Sequence, residues 1–113
     1  MGQNKVLTLL GFAAKAGKLN YGFEATIGSL KLKKTSLVLT ANDLSPKSLK
    51  EIKYFTDKFG VAHISLEGTD MKTLSDAVGR KCGIVSVNEK GFAESILNTL
   101  NPEIREGDIA NDK

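Results

Sequence analysis

Three short apolar segments rich in strand-forming residues alternate along this chain with longer segments whose apolar residues recur every three or four positions, and that alternation limits the possible folds most sharply. Residues 35–40 (TSLVLT), 61–66 (VAHISL) and 83–87 (GIVSV) read as buried strands bounded by turn residues. Between them lie helical periods: Val6, Leu7, Leu10, Ala13 and Ala14; then Phe23, Ile27 and Leu30; then Leu49, Ile52, Phe55 and Phe59; then Met71, Leu74, Ala77 and Val78; then Phe92, Ile96, Leu97 and Leu100. Leu19-Asn20-Tyr21 is a short extended piece between the first two helices. Strands alternating with helices predict a central sheet covered on both faces, a three-layer α/β/α sandwich.

The punctuation supports those boundaries. Ser45-Pro46 predicts a helix start, with Ser as N-cap and Pro where its missing N–H costs nothing. Gly17, Gly60 and Gly79 follow helical periods, as residues that accept a left-handed backbone do. Gly68-Thr69-Asp70 is a turn able to cap the fourth helix, whose periodicity assigns Met71 and Leu74 to the core. From Pro102 on, apolar residues are few and the net charge is negative. The expected organisation is one domain over residues 1–100 and a flexible acidic tail over 101–113.

Charge is unevenly spread. Residues 1–34 carry six lysines against one acid, Glu24, whereas the other 79 residues carry ten basic and twelve acidic side chains. A basic end on a small chain points to a polyanionic partner, RNA first. Lys31, Lys33 and Lys34 end a helical period, where cations also suit the helix dipole.

The parts for catalysis are scarce. The one histidine, His63, lies in an apolar strand and reads as a structural hydrogen-bonder; the one cysteine, Cys82, cannot form an internal disulfide, which fits a reducing cytoplasm. Asp43 follows a strand but lacks the acidic pair that a phosphoacceptor needs, so it is expected to fix the strand-to-helix turn. Neither GxGxxG nor GxxxxGK[ST] occurs, and no apolar run is long enough to cross a bilayer. The expectation is a non-enzymatic protein with no cofactor, metal, small-molecule substrate or membrane partner.

In order, Ala14-Lys15-Ala16-Gly17-Lys18-Leu19, Gly22 opening a helix, LVLTAND, VAHISL, the run from Lys72 to Gly79 and GIVSVNEKGFAESI resemble the ribosomal protein superfamily that binds RNA kink-turns, the L-seven-Ae and L-thirty-e group. The nearest likeness is to its small bacterial YlxQ-like branch, over roughly residues 3–100. The resemblance implies an α/β/α sandwich with a small mixed sheet of about four strands that meets RNA along one edge. The sites implied are the glycine-led start of the second helix (Gly22, Phe23, Glu24, Ile27), the turn with Asn42 and Asp43, and the loop with Gly68, Thr69 and Lys72. Apart from the resemblance, Lys18, Lys31 and Lys72 are expected to neutralise the flanking phosphates. A helix N-terminus offers unpaired N–H groups to phosphate, and loops can hold bases displaced from the stack.

One departure stands out. Family members carry a Gly-x-Asn-Glu-x-x-Lys-like or Gly-x-Lys-Gln-x-x-Lys-like run where this chain has Gly22-Phe23-Glu24-Ala25-Thr26-Ile27-Gly28. The glycine matches, but Glu24 replaces a guanine reader, and Ala25 and Gly28 remove two polar contacts. The expectation is a ribosome-associated or structured-RNA-binding protein. The alternatives are a protein-interaction module of the same fold that has lost kink-turn specificity, or a remnant like the leading domain of ribose methyltransferases.

Overall fold

A computed structural model describes residues 2–100, so the expected acidic tail lies outside the described residues. The elements run α1 (Gly2–Lys15), β1 (Leu19–Tyr21), α2 (Phe23–Lys31), β2 (Leu37–Ala41), α3 (Pro46–Phe59), β3 (Ala62–Leu66), α4 (Met71–Val78), β4 (Ile84–Val87) and α5 (Lys90–Leu100). The sheet order is β1-β4-β2-β3, with β2 and β3 parallel and the other two pairs antiparallel. A sheet covered on both faces is what the alternating pattern predicts, and its mixed strand directions are what the family resemblance implies.

Period-two alternation on the central strands divides the interior into two cores. Leu37, Leu39, Ala41, Val85 and Val87 point to one face and pack with Val6, Leu10 and Ala13 of α1, Leu74 and Val78 of α4, and Ala93 and Ile96 of α5. Val38 and Ile84 point to the other face and pack with Ile27 and Leu30 of α2 and Ile52 of α3. β2 and β4 are buried along their whole length, as strands covered on both faces must be. The edge strand β3 is more exposed, and its His63 Nε2 hydrogen-bonds Thr40 Oγ1 on β2 at 2.9 Å. Burial holds this imidazole below its ordinary pKa, in keeping with a structural histidine.

The caps match the sequence reading. Ser45 accepts a hydrogen bond from the Ser48 amide, Asp70 from the Thr73 amide at 2.8 Å, and Gly60 and Gly79 close α3 and α4 in the left-handed region. Met71 is the exception. It is 38% exposed: at the first position of α4 its side chain lies beside Gly83, just before β4, rather than inside the core.

Strand direction gives the molecule two distinct ends. The upper end holds the start of α2, the β2–α3 turn, the loop before α4 and the start of β4. The lower end holds the start of β1, the end of α2, the start of β2 and the β4–α5 turn.

Candidate nucleic-acid interface

At the upper end the backbone ties four segments together. The Gly22 amide donates to the Ile84 carbonyl at 2.8 Å, and the Ala41 amide donates to the Gly83 carbonyl at 2.9 Å, so the start of β4 holds both the α2 entry and the end of β2. Gly22 has φ 90 and ψ 170 and no side chain caps the turn behind it. Phe23 packs partly against the second core, while Glu24 and Ala25 are exposed. A helix start with uncapped outward amides is an anion-accepting surface.

The β2–α3 turn and the loop before α4 form one unit. The Asn42 amide donates to the Thr69 carbonyl at 2.8 Å and Asn42 Nδ2 to the Glu67 carbonyl at 2.7 Å. Asp43 Oδ1 accepts from the Met71 amide at 2.9 Å. Asp43 therefore fixes a turn, as the sequence suggests, and does so by capping a distant helix. Two carboxylates, Asp43 and Asp70, occupy first-turn amides of α4, and the bonds from the Thr73 amide and side chain hold Asp70 below its ordinary pKa. Gly68 is exposed, but Thr69 is only 1% exposed and works through its backbone.

Sequence reasoning missed the segment that completes this surface, residues 79–83. Ser75 Oγ accepts from the Cys82 amide at 2.9 Å and donates to the Cys82 carbonyl at 3.0 Å, which staples the segment to α4. The Arg80 guanidinium lies 4.8 Å from the ring centre of Tyr21, immediately before Gly22, and so joins this loop to the α2 entry. Between α4 and the segment lies a pocket of about 550 Å³. Met71, Cys82 and Gly83 supply apolar lining, and the exposed Lys72 and Lys81 stand beside it together with Ser75 and one acid, Asp76. Burial pushes the Cys82 thiol above its ordinary pKa, so this wall is uncharged at neutral pH. Lys72 Nζ donates to Asp76 Oδ2 at 3.2 Å, but both side chains are largely exposed and the pair holds neither firmly. A glycine-bracketed basic pair, Gly79-Arg80-Lys81-Cys82-Gly83, was the available signal.

The upper end thus gathers Gly22, Phe23, Glu24, Asn42, Asp43, Gly68, Thr69 and Lys72. It does not gather the rest. Ile27 is 9% exposed and belongs to the second core. Lys18 lies at the opposite end of β1, where its carbonyl accepts from the Asn88 amide. Lys31 closes α2, eight residues and about 12 Å beyond Phe23. The expectation that Lys18, Lys31 and Lys72 flank a single RNA strand is therefore corrected: strand order and helix length place the first two at the lower end. Among the described residues, no group of three or more His, Cys, Asp or Glu side chains is placed to hold a metal ion.

A family model described as the ribosomal protein L7Ae/L30e/S12e/Gadd45 family matches residues 4–97. The chain is 28% identical over 92 residues to the RNA-binding protein YlxQ of Enterococcus faecium, covering 81% of this chain and 87% of that protein. It is 30% identical over 93 residues to the large ribosomal subunit protein eL30 of Lupinus luteus, covering 80% and 81%. A solved structure of a protein of unknown function from Bacillus halodurans superposes with TM-score 0.81 at 21% identity, over 86% of this chain and 97% of that one.

Proposed function

The chain belongs to the ribosomal protein L7Ae/L30e/S12e/Gadd45 family, and from that premise we propose that it binds structured RNA at the upper end, seating an extruded base in the pocket between α4 and residues 81–83. The observation that carries this reading is the pocket itself, apolar where a base face would rest and lysine-flanked where its phosphate would lie. Its volume falls within the range of about 300–1,000 Å³ typical of small-ligand sites. Uncapped amides at Phe23 and Glu24 receive a neighbouring phosphate. Arg80 and Lys81 supply charge, and Lys72 joins them when its exposed pairing with Asp76 opens. The names of two relatives, an RNA-binding protein and a ribosomal subunit protein, support RNA as the partner.

Kink-turn preference is a separate matter. Glu24, Ala25 and Gly28 are exposed along the outer stripe of α2, where kink-turn readers of the family would project. As the chain stands, the Glu24 carboxylate, unlike its backbone amide, repels phosphate and can accept hydrogen bonds from base amino groups. The reading is therefore a binder of bulged RNA with weak kink-turn discrimination.

Titration of a labelled hairpin carrying one unpaired base, against the same hairpin fully paired, tests it. The bulged RNA binds more tightly, and Met71→Glu, which places a carboxylate in the slot, removes the difference while leaving the Tm near that of the parent. Equal affinity for both hairpins contradicts the reading.

A further inference from the structure

The lower end of the molecule carries more positive charge than the end just described, and no part of the proposed slot uses it. We infer that it is a second, sequence-independent docking surface for the phosphate backbone of an RNA duplex, formed by Lys18, Lys31, Lys33, Lys34 and Lys90. The choice of RNA among polyanions rests on the function proposed above.

These lysines hang from one hydrogen-bonded junction around Asn88. The Asn88 amide donates to the Lys18 carbonyl at 2.8 Å, and Ser29 Oγ donates to Asn88 Oδ1 at 3.0 Å. The Lys34 amide donates to the Ser29 carbonyl at 3.0 Å, and the Ser36 amide to the Val87 carbonyl at 2.7 Å. Lys31 and Lys33 follow Ser29 closely in sequence, and Lys90 is two residues beyond Asn88. All five side chains are exposed; Lys31 Nζ lies 6.0 Å from the ring centre of Phe55 on α3, and the one ion pair among the described residues, Lys72 with Asp76, is elsewhere. The nearby Glu89 is half-buried, with Oε1 taken by the Phe92 amide at 2.8 Å.

Local structure accounts for some of this charge and not for the rest. Lys31 sits in the last turn of α2, where the dipole favours it. Lys33 and Lys90 occupy positions that local preference opposes. Lys33 has φ 60 and closes α2 in a Schellman turn, its amide bonded to the Leu30 carbonyl and the next amide to that of Ser29; glycine is the residue that adopts this geometry without strain. Lys90 is the first residue of α5, where the dipole disfavours a cation. Functional sites are where a sequence is expected to go against local preference. Lysine is a mobile point charge, suited to phosphates rather than to base edges. Electrostatics thus separates two tasks: selection at the upper slot and backbone attraction at the lower end.

The test uses the full chain, with a fully paired RNA duplex and its single-bulge counterpart, between about 50 and 200 mM salt. The triple variant Lys18→Gln, Lys34→Gln, Lys90→Gln is expected to weaken binding of the paired duplex by about tenfold or more and to make the log–log salt dependence shallower by about 0.9 for each phosphate no longer neutralised. The ratio of bulged to paired affinity stays as in the parent. Lys33→Gly is expected to raise the Tm and still weaken duplex binding, a combination that a purely structural role would not produce. Unchanged duplex affinity in the triple variant overturns the proposal, as does loss of duplex binding on Met71→Glu instead. Absence of bulge preference in the parent, with duplex binding still weakened in the triple variant, defeats the slot and leaves this surface standing.

Discussion

Gly22 shows how one backbone angle prepares a binding surface. Its φ of 90 with ψ of 170 lies where side-chain-bearing residues are almost never found, although a Cβ there would meet open space. The requirement is conformational, not steric. Gly22→Ala is expected to cost about 1–3 kcal/mol in chemical denaturation and to turn the first amides of α2 away from their present direction. Gly83 is the converse case. A Cβ on it would fall 2.7 Å from Met71 Sδ, 2.8 Å from Met71 Cγ and 3.3 Å from Leu44 Cδ1, so Gly83→Ala pushes the flexible Met71 side chain across the slot. The expected outcome is a Tm close to the parent's with weakened binding of bulged RNA, read in parallel melting and titration experiments. Gly22 was legible in the sequence as a helix opener. The meaning of Gly83 was not, because it depends on Met71 reaching it from another element.

At the scale of elements, α4 depends on two acids for its start, and the two differ in range. Asp70 is local and was legible from the Gly68-Thr69-Asp70 turn. Asp43 reaches the Met71 amide from 28 residues away, which no local pattern encodes. The Asp70 pKa is depressed by its bonds to Thr73, so this cap is fully present above the ordinary aspartate range and is lost as pH falls through the lowered value. The Thr73 amide resonance is expected to report that loss in an acid titration, and Asp70→Asn to cap without titrating. Helix α2 offers a second check. Gly28 lies mid-helix, exposed, with open space beyond its Cα. Gly28→Ala is expected to stabilise the fold by about 0.5–1 kcal/mol. Replacing Glu24 by Asn, Ala25 by Glu and Gly28 by Lys together is expected to create a preference for kink-turn RNA over a simple bulge in competition binding.

For the whole molecule, the deciding quantity is which end of the sheet a residue reaches. Strands, the local caps and the inward faces of the helices, Met71 apart, could be read from spacing, because periods of 2 and 3.6 are local consequences of backbone geometry. The charge excess of residues 1–34 was equally plain. Its direction was not, since Lys18 and Gly22 are four residues apart and yet bracket a strand, and so belong to opposite ends. The antiparallel pairing of β1 with β4, an inter-element fact, carries that information. His63 adds a global readout: with its pKa held low by burial and Thr40 as partner, its contribution to stability is present above the ordinary imidazole value and declines as pH falls toward the lowered one. The most direct measurement is an amide-resolved NMR titration of the full chain with a bulged hairpin. The account predicts the largest shifts at Gly22–Ala25, Asn42–Asp43, Met71–Lys72 and Arg80–Gly83. Shifts confined to α5 and the outer face of α3, with those four segments unmoved, would contradict it.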